Sequence, residues 1–339
     1  MDRPRKKRVL FITAGSIGDA VVTSGLLHLF VEREPEAGFT IVAGPQAAPL
    51  FLDTPRLENL IALRKKRFSL HWLDLWRQVK GCSWTAVIDM RGSGLAYALW
   101  AGRRLVYRRR RQPQDTGPQH KVLEASGVVG SANRALAPFL YASAKTQARA
   151  DELIGRGGPI LAIAPGSNFR PKTWPADRFA QAALKLLDSA GPLQGGRVLL
   201  TGSRGDVSAC EAIRTALPPE RVIDLVGLDL LTTYAAFRRI RLFIGNDSGL
   251  MHLSAASGAP TLGLFGPTDE RRYRPWGPRA AVVREGREFI EYEAAMKAGG
   301  YEASYMTDLR VATVVLAARG LMENTRDMSF DDLATPVGV

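Results

Sequence analysis

Cysteine is scarce in this 339-residue chain: Cys82 and Cys210 stand far apart and without ligand spacing. That argues against both a disulfide framework and a zinc site, and points to a reducing compartment. No uninterrupted apolar run approaches the roughly 20 residues of a membrane-spanning helix. The opening MDRPRKKR followed by VLFITAGSIGDAVV imitates a signal peptide, but Asp19 interrupts the apolar stretch. It reads better as strand, turn and helix of a mature cytoplasmic protein. Gly15 and Gly18 do not supply G-x-G-x-x-G, and no G-K-[ST] follows, so neither a dinucleotide fingerprint nor a P-loop is present. Short-period repeats and nucleic-acid modules are also missing.

What is present in excess is positive charge, and it is one-sided. Residues 1–150 hold 24 Lys and Arg against 11 Asp and Glu, a net of +13, whereas residues 151–339 hold 22 of each and are neutral. The densest clusters are Arg3–Arg8, Arg64–Arg67 and Arg103–Arg111. Such a surface attracts an anionic partner: a phosphorylated glycolipid, acidic headgroups or nucleic acid. A merely soluble, arginine-rich face would look the same. The segment Arg64–Trp84 adds Trp72, Trp76 and Trp84 to RKKR, which suits either a helix resting on a membrane surface or an amphipathic helix packed on a sheet.

Length and patterning suggest two α/β domains with parallel sheets. In the first half, strands are expected at Arg8–Thr13, Phe39–Ala43 and Thr85–Asp89, with helices at Asp19–Glu34, Ser69–Lys80 and Gly94–Ala101. In the second, strands are expected near Ile160–Ala164, Arg197–Thr201, Val222–Asp224, Leu242–Ile244 and Thr261–Leu264. The break GRGGP at Gly155–Pro159 and a late helix over Thr307–Leu321 complete the plan. It gives a first domain of residues 1–150, a second of 151–322 and a mobile tail of 323–339.

Three loops carry candidate chemistry. Thr13–Asp19 follows a strand and opens a helix, where helix N–H groups favour an ionised carboxylate; Asp19 is then a proton acceptor or an ordinary helix cap. Ala164–Pro175, reading APGSNFRPKTWP, offers hydrogen bonds from Ser167 and Asn168 and a cation from Lys172, which alone would pass for a surface lysine. Phe243–Pro267, reading FIGNDSGLMHLSAASGAPTLGLFGP, places an Asn-Asp-Ser-Gly turn between a buried strand and a helix of small residues. Asp247 or Ser248 can cap that helix, Gly249 lets a ligand approach the backbone, and the helix start is an anion site. His252 lies about one turn into the helix, placed for a ligand or for packing. Thr201–Asp206, reading TGSRGD, is a weaker third loop at the same sheet edge.

Together, GSIGDAVVTSGLL, APGSNFRPKTWPADRFA and FIGNDSGLMHLSAASGAPTLGLFGPTD, in this order and with TAVIDMRGS at 85–93, resemble glycosyltransferase family 9, the lipopolysaccharide heptosyltransferases. The similarity runs from about Arg8 to Leu321. It implies a GT-B fold, two Rossmann-like domains facing across a cleft, with the acceptor held mainly by the first and the nucleotide sugar mainly by the second. It implies an inverting, metal-independent enzyme without a cofactor, in keeping with the lack of any D-x-D triplet. Carried over to these positions, the resemblance makes Asp19 the general base and Lys172 the clamp on the departing diphosphate. Ser167, Asn168, Ser248, Gly249, Leu250, Met251 and His252 would lie around the phosphates, and Asp247 would hold sugar hydroxyls.

The expected donor is ADP-heptose and the acceptor an anionic glycolipid of the lipopolysaccharide core, with possible peripheral contact at the inner membrane and no nucleic acid. The family's cysteine cluster after the turn matching PWGP at 275–278 is missing here, and Arg204 stands where relatives often have an acid. These departures bear on the sugar's identity. The alternatives are a family member using another nucleotide sugar or acceptor, a nucleic-acid-binding protein using the basic half, and an inactive nucleotide-sugar binder.

Overall fold

The computed structural model describes residues 6–108, 119–130 and 135–328. It divides into two α/β units, the first running through Ser143 and the second beginning at Ala144.

The first unit runs β1 (Arg8–Ile12), α1 (Ile17–Arg33), β2 (Gly38–Ala43), β3 (Leu57–Ala62), α2 (His71–Val79), β4 (Trp84–Asp89), β5 (Ala101–Val106) and α3 (Lys121–Ser126). Its five strands are parallel, in the order β3-β2-β1-β4-β5. Val9, Leu10, Phe11 and Ile12 are fully buried, as is nearly all of β2; central parallel strands buried on both faces carry unbroken apolar runs.

The second unit runs α4 (Ala144–Ile154), β6 (Ile160–Ala164), α5 (Ala176–Leu187), β7 (Arg197–Gly202), α6 (Val207–Thr215), β8 (Val222–Val226), α7 (Leu230–Phe237), β9 (Leu242–Asn246), α8 (Gly249–Ala256), β10 (Thr261–Leu264), α9 (Glu270–Tyr273), β11 (Ala280–Val283), α10 (Phe289–Gly299) and α11 (Val311–Asn324). Its six parallel strands are ordered β11-β10-β9-β6-β7-β8. Its core packs Trp174, Phe179 and Leu186 against β6, β7, β9 and β10, with Val314 and Ala318 of α11 closing it.

In both sheets the winding reverses beside the first strand, between β1 and β4 and between β6 and β9. Open α/β sheets bind ligands at the carboxyl ends of the strands at such a reversal. The loops after β1, β6 and β9, which carry the candidate residues, all start there.

Several details differ from the sequence reading. The division falls at Ser143/Ala144 instead of 150/151: α4 packs on α7, Ala150 and Ile154 are buried, and Arg149 pairs with Asp229 at 3.4 Å. The expected helix at Gly94–Ala101 is a single 3-10 turn, Leu95–Ala98, followed by β5. Gly94 enters it in the left-handed region, at φ 80°, Leu99 leaves it extended, and the Trp100 carbonyl accepts from the Trp84 N–H at 2.9 Å in the sheet ladder. Strands β3, β5 and β11 were not foreseen. The last helix continues through Glu323 and Asn324, so the expected tail does not begin at 323; residues 329–339 lie outside the described residues.

Helix α2 settles the tryptophan segment as a helix packed on its sheet. His71, Leu75 and Val79 are its buried face, Trp72 and Trp76 pack against the core, and Trp84 is buried with its Nε1 donating to the Val79 carbonyl at 3.1 Å. The apolar groups left in solvent belong to the preceding loop and the outer face of α2: Phe68, 84% exposed, with Leu70 and Leu73.

Candidate active site

Helix α1 begins with Ser16 as its N-cap, so Asp19 is not the cap but lies in the first turn. The Ser16 hydroxyl accepts from the Asp19 N–H at 3.3 Å and donates to Asp19 Oδ2 at 2.7 Å. Lys121 Nζ, from the start of α3, donates to the other oxygen, Oδ1. The Asp19 carboxylate is therefore held from both sides while its side chain stays 42% exposed. Behind it, the β1 and β2 loops pass so closely that a Cβ on Gly44 would stand 2.5 Å from the Gly15 backbone.

In the second unit, the loops after β6 and β9 start from paired strands, with Ala164 opposite Gly245. Asn246, fully buried, joins them. Its Nδ2 donates to the Pro165 carbonyl at 2.7 Å and its Oδ1 accepts from the Trp174 N–H at 2.9 Å. Trp174 is fixed in turn, its Nε1 donating to the Leu309 carbonyl at 2.9 Å and its ring standing edge-on to Phe179. Between these anchors Lys172 reaches Asp247, Nζ to Oδ2, at 3.1 Å. The loop thus brings together two residues 75 positions apart.

Helix α8 starts beside this pair. Its N-cap, Ser248, makes no side-chain capping bond, and its buried hydroxyl finds no partner among the described residues. The first backbone N–H groups of the helix are therefore not taken up by their cap, and the positive end of the helix dipole favours an anion there. Gly249 and Leu250 are half-buried. The Met251 side chain lies under the sheet, so close to Gly263 that a Cβ there would meet its sulfur; Met251 can serve a ligand only through its backbone. His252 is buried in the same helix. In the β6 loop, Ser167 is half-buried, its hydroxyl accepting from the Phe169 N–H at 3.3 Å, while Asn168 is exposed.

The third loop follows β7. Asp206 closes a capping box with Ser203, Oγ to Oδ2 at 2.7 Å, and its carboxylate occupies the space where a Cβ on Gly166 would fall. Arg204 is exposed. Among the described residues no group of three or more His, Cys, Asp and Glu side chains could hold a metal ion. Lys172 and the α8 N-terminus both offer positive charge to a phosphate.

Residues 96–298 match glycosyltransferase family 9 (heptosyltransferase). The chain belongs to glycosyltransferase family 9. It is 36% identical over 159 residues to the lipooligosaccharide heptosyltransferase 2 of Haemophilus influenzae, an alignment covering 43% of this chain and 42% of that enzyme. It is 25% identical over 335 residues to the lipopolysaccharide heptosyltransferase 2 of Salmonella typhimurium, covering 88% and 93%. Among solved structures it resembles the Escherichia coli ADP-heptose lipopolysaccharide heptosyltransferase II, with a TM-score of 0.71 at 21% identity, covering 94% of this chain and 99% of that one. The fold of this glycosyltransferase is GT-B, two Rossmann-like α/β units.

The structure of the glycosyltransferase adds two residues that the motifs do not single out, Asn246 and Lys121, and gives Trp174, which the sequence reads as fixing the entry to α5, its partners. Asn246 holds two loops together, Trp174 anchors the loop that presents Lys172, and Lys121 sits on Asp19. Asn246 lies within the NDSG turn, where its burial at the end of β9 was a usable signal. Lys121 carried none, being 102 residues from its partner.

Proposed function

We propose that this glycosyltransferase moves heptose from ADP-heptose onto a phosphorylated saccharide of the lipopolysaccharide core, in one displacement that inverts the anomeric carbon and uses no metal. The observation that carries the reading is the Lys172–Asp247 pair beside the uncapped start of α8, at the winding reversal of the second sheet. A nucleotide diphosphate needs that combination of a mobile cation and unpaired backbone donors. The names of the family relatives supply the sugar and the acceptor class.

In the reaction, the Asp19 carboxylate takes the proton of the acceptor hydroxyl as the oxygen forms its bond to the anomeric carbon. The bond from that carbon to the diphosphate oxygen breaks at the same time, and ADP leaves with the electron pair. Lys172 and the α8 N–H groups balance the charge gathering on the leaving oxygen. Asp247, relieved of Lys172 by the diphosphate, accepts hydrogen bonds from sugar hydroxyls. Ser167 and Asn168 contribute donors on the phosphate side, and His252 lies one turn behind.

The basic first unit suits an anionic, lipid-linked acceptor, and we assign membrane contact to the loop Arg64–Leu70. Its seven residues are all exposed, with Phe68 and Leu70 beside four cations, the mixture that favours an acidic lipid surface. No helix of the described residues is long and apolar enough to cross a membrane.

Calorimetry against ADP, UDP and GDP, followed by an assay with ADP-heptose and a core-truncated lipopolysaccharide, tests the reading. Binding of ADP alone and transfer of heptose are expected. Preference for another nucleotide would reassign the donor, and no nucleotide binding would overturn the reading. Sedimentation with anionic vesicles, lost in Phe68→Ser/Leu70→Ser, tests the membrane loop separately.

A further inference from the structure

The loop of residues 165–175 has little to hold it from within. Pro171 and Pro175 carry no N–H to donate, and its regular structure is one short 3-10 turn, Arg170–Lys172. Three successive peptide planes around Lys172 are nonetheless bonded. In the plane joining Pro171 to Lys172, the Lys172 N–H donates to the Phe169 carbonyl at 3.1 Å and the Pro171 carbonyl accepts from the Tyr305 N–H at 2.9 Å. In the next plane the Thr173 N–H donates to the Arg170 carbonyl at 3.0 Å. In the plane joining Thr173 to Trp174, the Trp174 N–H donates to Asn246 Oδ1 at 2.9 Å and the Thr173 carbonyl accepts from the Ser304 hydroxyl at 2.6 Å. Ser304 and Tyr305 belong to the stretch between α10 and α11, and Ser304 lies 131 positions from the carbonyl it holds. Ser304 is steadied in turn, its oxygen accepting from the Met306 N–H at 3.1 Å, and Met306 is buried against Gly266 in the loop after β10.

We infer that Ser304 is a positioning residue for Lys172: its hydroxyl, together with the Tyr305 N–H, sets where the Lys172 ammonium meets the diphosphate of the donor. The inference rests on Lys172 being the diphosphate clamp. A peptide unit is planar and leaves only two soft dihedrals per residue, so bonding the planes before and after Lys172 fixes the direction of its Cα–Cβ bond. The flexible four-carbon stem then covers the remaining distance to the anion. Asn246 ties this loop to the end of β9, and Ser304 ties it from the other side of the sequence, to a segment that touches no substrate itself. A stem of that length absorbs small errors of aim, so loss of the Ser304 anchor weakens the grip on the diphosphate without abolishing it.

Calorimetry on the full-length protein tests this, with ADP and AMP as probes, because AMP lacks the terminal phosphate from which the sugar departs. In Ser304→Ala the Kd for ADP is expected to rise about 3- to 10-fold, the worth of one neutral hydrogen bond, while the Kd for AMP stays within about twofold. Ser304→Thr keeps the hydroxyl and is expected to hold ADP within about twofold of the wild type. In a Lys172→Met background, Ser304→Ala is expected to cost no further ADP affinity, as a residue acting through Lys172 must. Circular dichroism melts confirm that each variant is folded. Four results would overturn the inference: an unchanged ADP affinity in Ser304→Ala, equal weakening of ADP and AMP, a Ser304→Thr no better than Ser304→Ala, or the same Ser304→Ala loss with and without Lys172. If Lys172→Met alone binds ADP as the wild type does, the diphosphate-clamp reading fails instead, whatever the Ser304 variants show.

Discussion

Lys172 and Asp247 touch across 3.1 Å, with side chains only 18% and 7% exposed. A carboxylate that buried is tolerated because the ammonium is there. Lys172→Met is therefore expected to do two separable things: destabilise the second unit by about 1–3 kcal/mol, through the bare anion, and weaken ADP binding. Adding Asp247→Asn should restore the urea midpoint without restoring turnover. A double variant that regains activity would show that Lys172 serves only Asp247.

Replacing Asp19 separates chemistry from donor binding. Asp19→Ala should lower kcat by about 10²- to 10⁴-fold, the usual contribution of a general base. The calorimetric affinity for ADP should stay within about twofold, because the donor is assigned to the second unit. An unchanged kcat would remove Asp19 from the mechanism.

Asn246 predicts a coupled loss. Asn246→Ala leaves the Trp174 N–H and the Pro165 carbonyl without their partner, at a cost of about 2–4 kcal/mol for the two together. It also frees the loop that presents Lys172, so KM for the nucleotide sugar should rise in the same protein. Asn246→Asp keeps the acceptor for Trp174 but sets a buried carboxylate oxygen against the Pro165 carbonyl, and should destabilise at least as much as Asn246→Ala. A stable Asn246→Ala with normal KM would contradict this account.

The first unit carries its own acid sensitivity. His28 stacks on Phe139 at 4.2 Å and faces the Tyr141 hydroxyl at 2.7 Å. Burial lowers its pKa below 6.5, against the smaller opposing pull of Glu32. The unfolded chain therefore takes up this proton before the folded one does. Stability is whole above the unfolded pKa and declines as pH falls below it toward the depressed folded value. The drop in Tm between about pH 7.5 and about pH 5.5 should be smaller in His28→Phe than in the wild type. Equal drops would place the acid sensitivity elsewhere.

The parts of the fold that could be read in the sequence are those where burial writes an unbroken apolar run. β1, β2, β6 and β9 are central, and the runs VLFI, FTIVA, ILAIA and LFI announce them. The strands that escaped, β3, β5 and β11, all lie at or next to a sheet edge and are only partly buried. LENLIA and AGRRLV keep neither a long apolar run nor a clean alternation, and half of the short run AAVV is alanine, which has little preference for strands. In β5 the arginines turned the preceding LAYALWA into an apparent helix. For α2 the signal was present: His71, Leu75 and Val79 recur at helical spacing and face the core, which assigns the tryptophans to packing.

The site divides the same way. Lys172 and Asp247 stand out in the sequence as candidates because each sits in a strand–loop–helix unit of recognisable chemistry, and the structure pairs them. Ser248 and Gly249 followed from the turn. Asn246 was passed over because its work is done through bonds to residues 72 and 81 positions away. Lys121 could not be paired with Asp19 by any local pattern; only the packing of α3 on α1 does that.

The arginines of β5 bear on how these molecules behave toward one another. β5 ends the first sheet, Arg103 is exposed, and the Arg104 guanidinium is drawn back onto the carbonyls of Ala96 and Leu99 at 2.9 and 2.8 Å. A sheet margin with free backbone groups can template a neighbour's strand and seed aggregation, and charged side chains along it obstruct that pairing. The arginines of β5 therefore stand where they obstruct strand pairing between copies of the chain, a use of positive charge that needs no ligand.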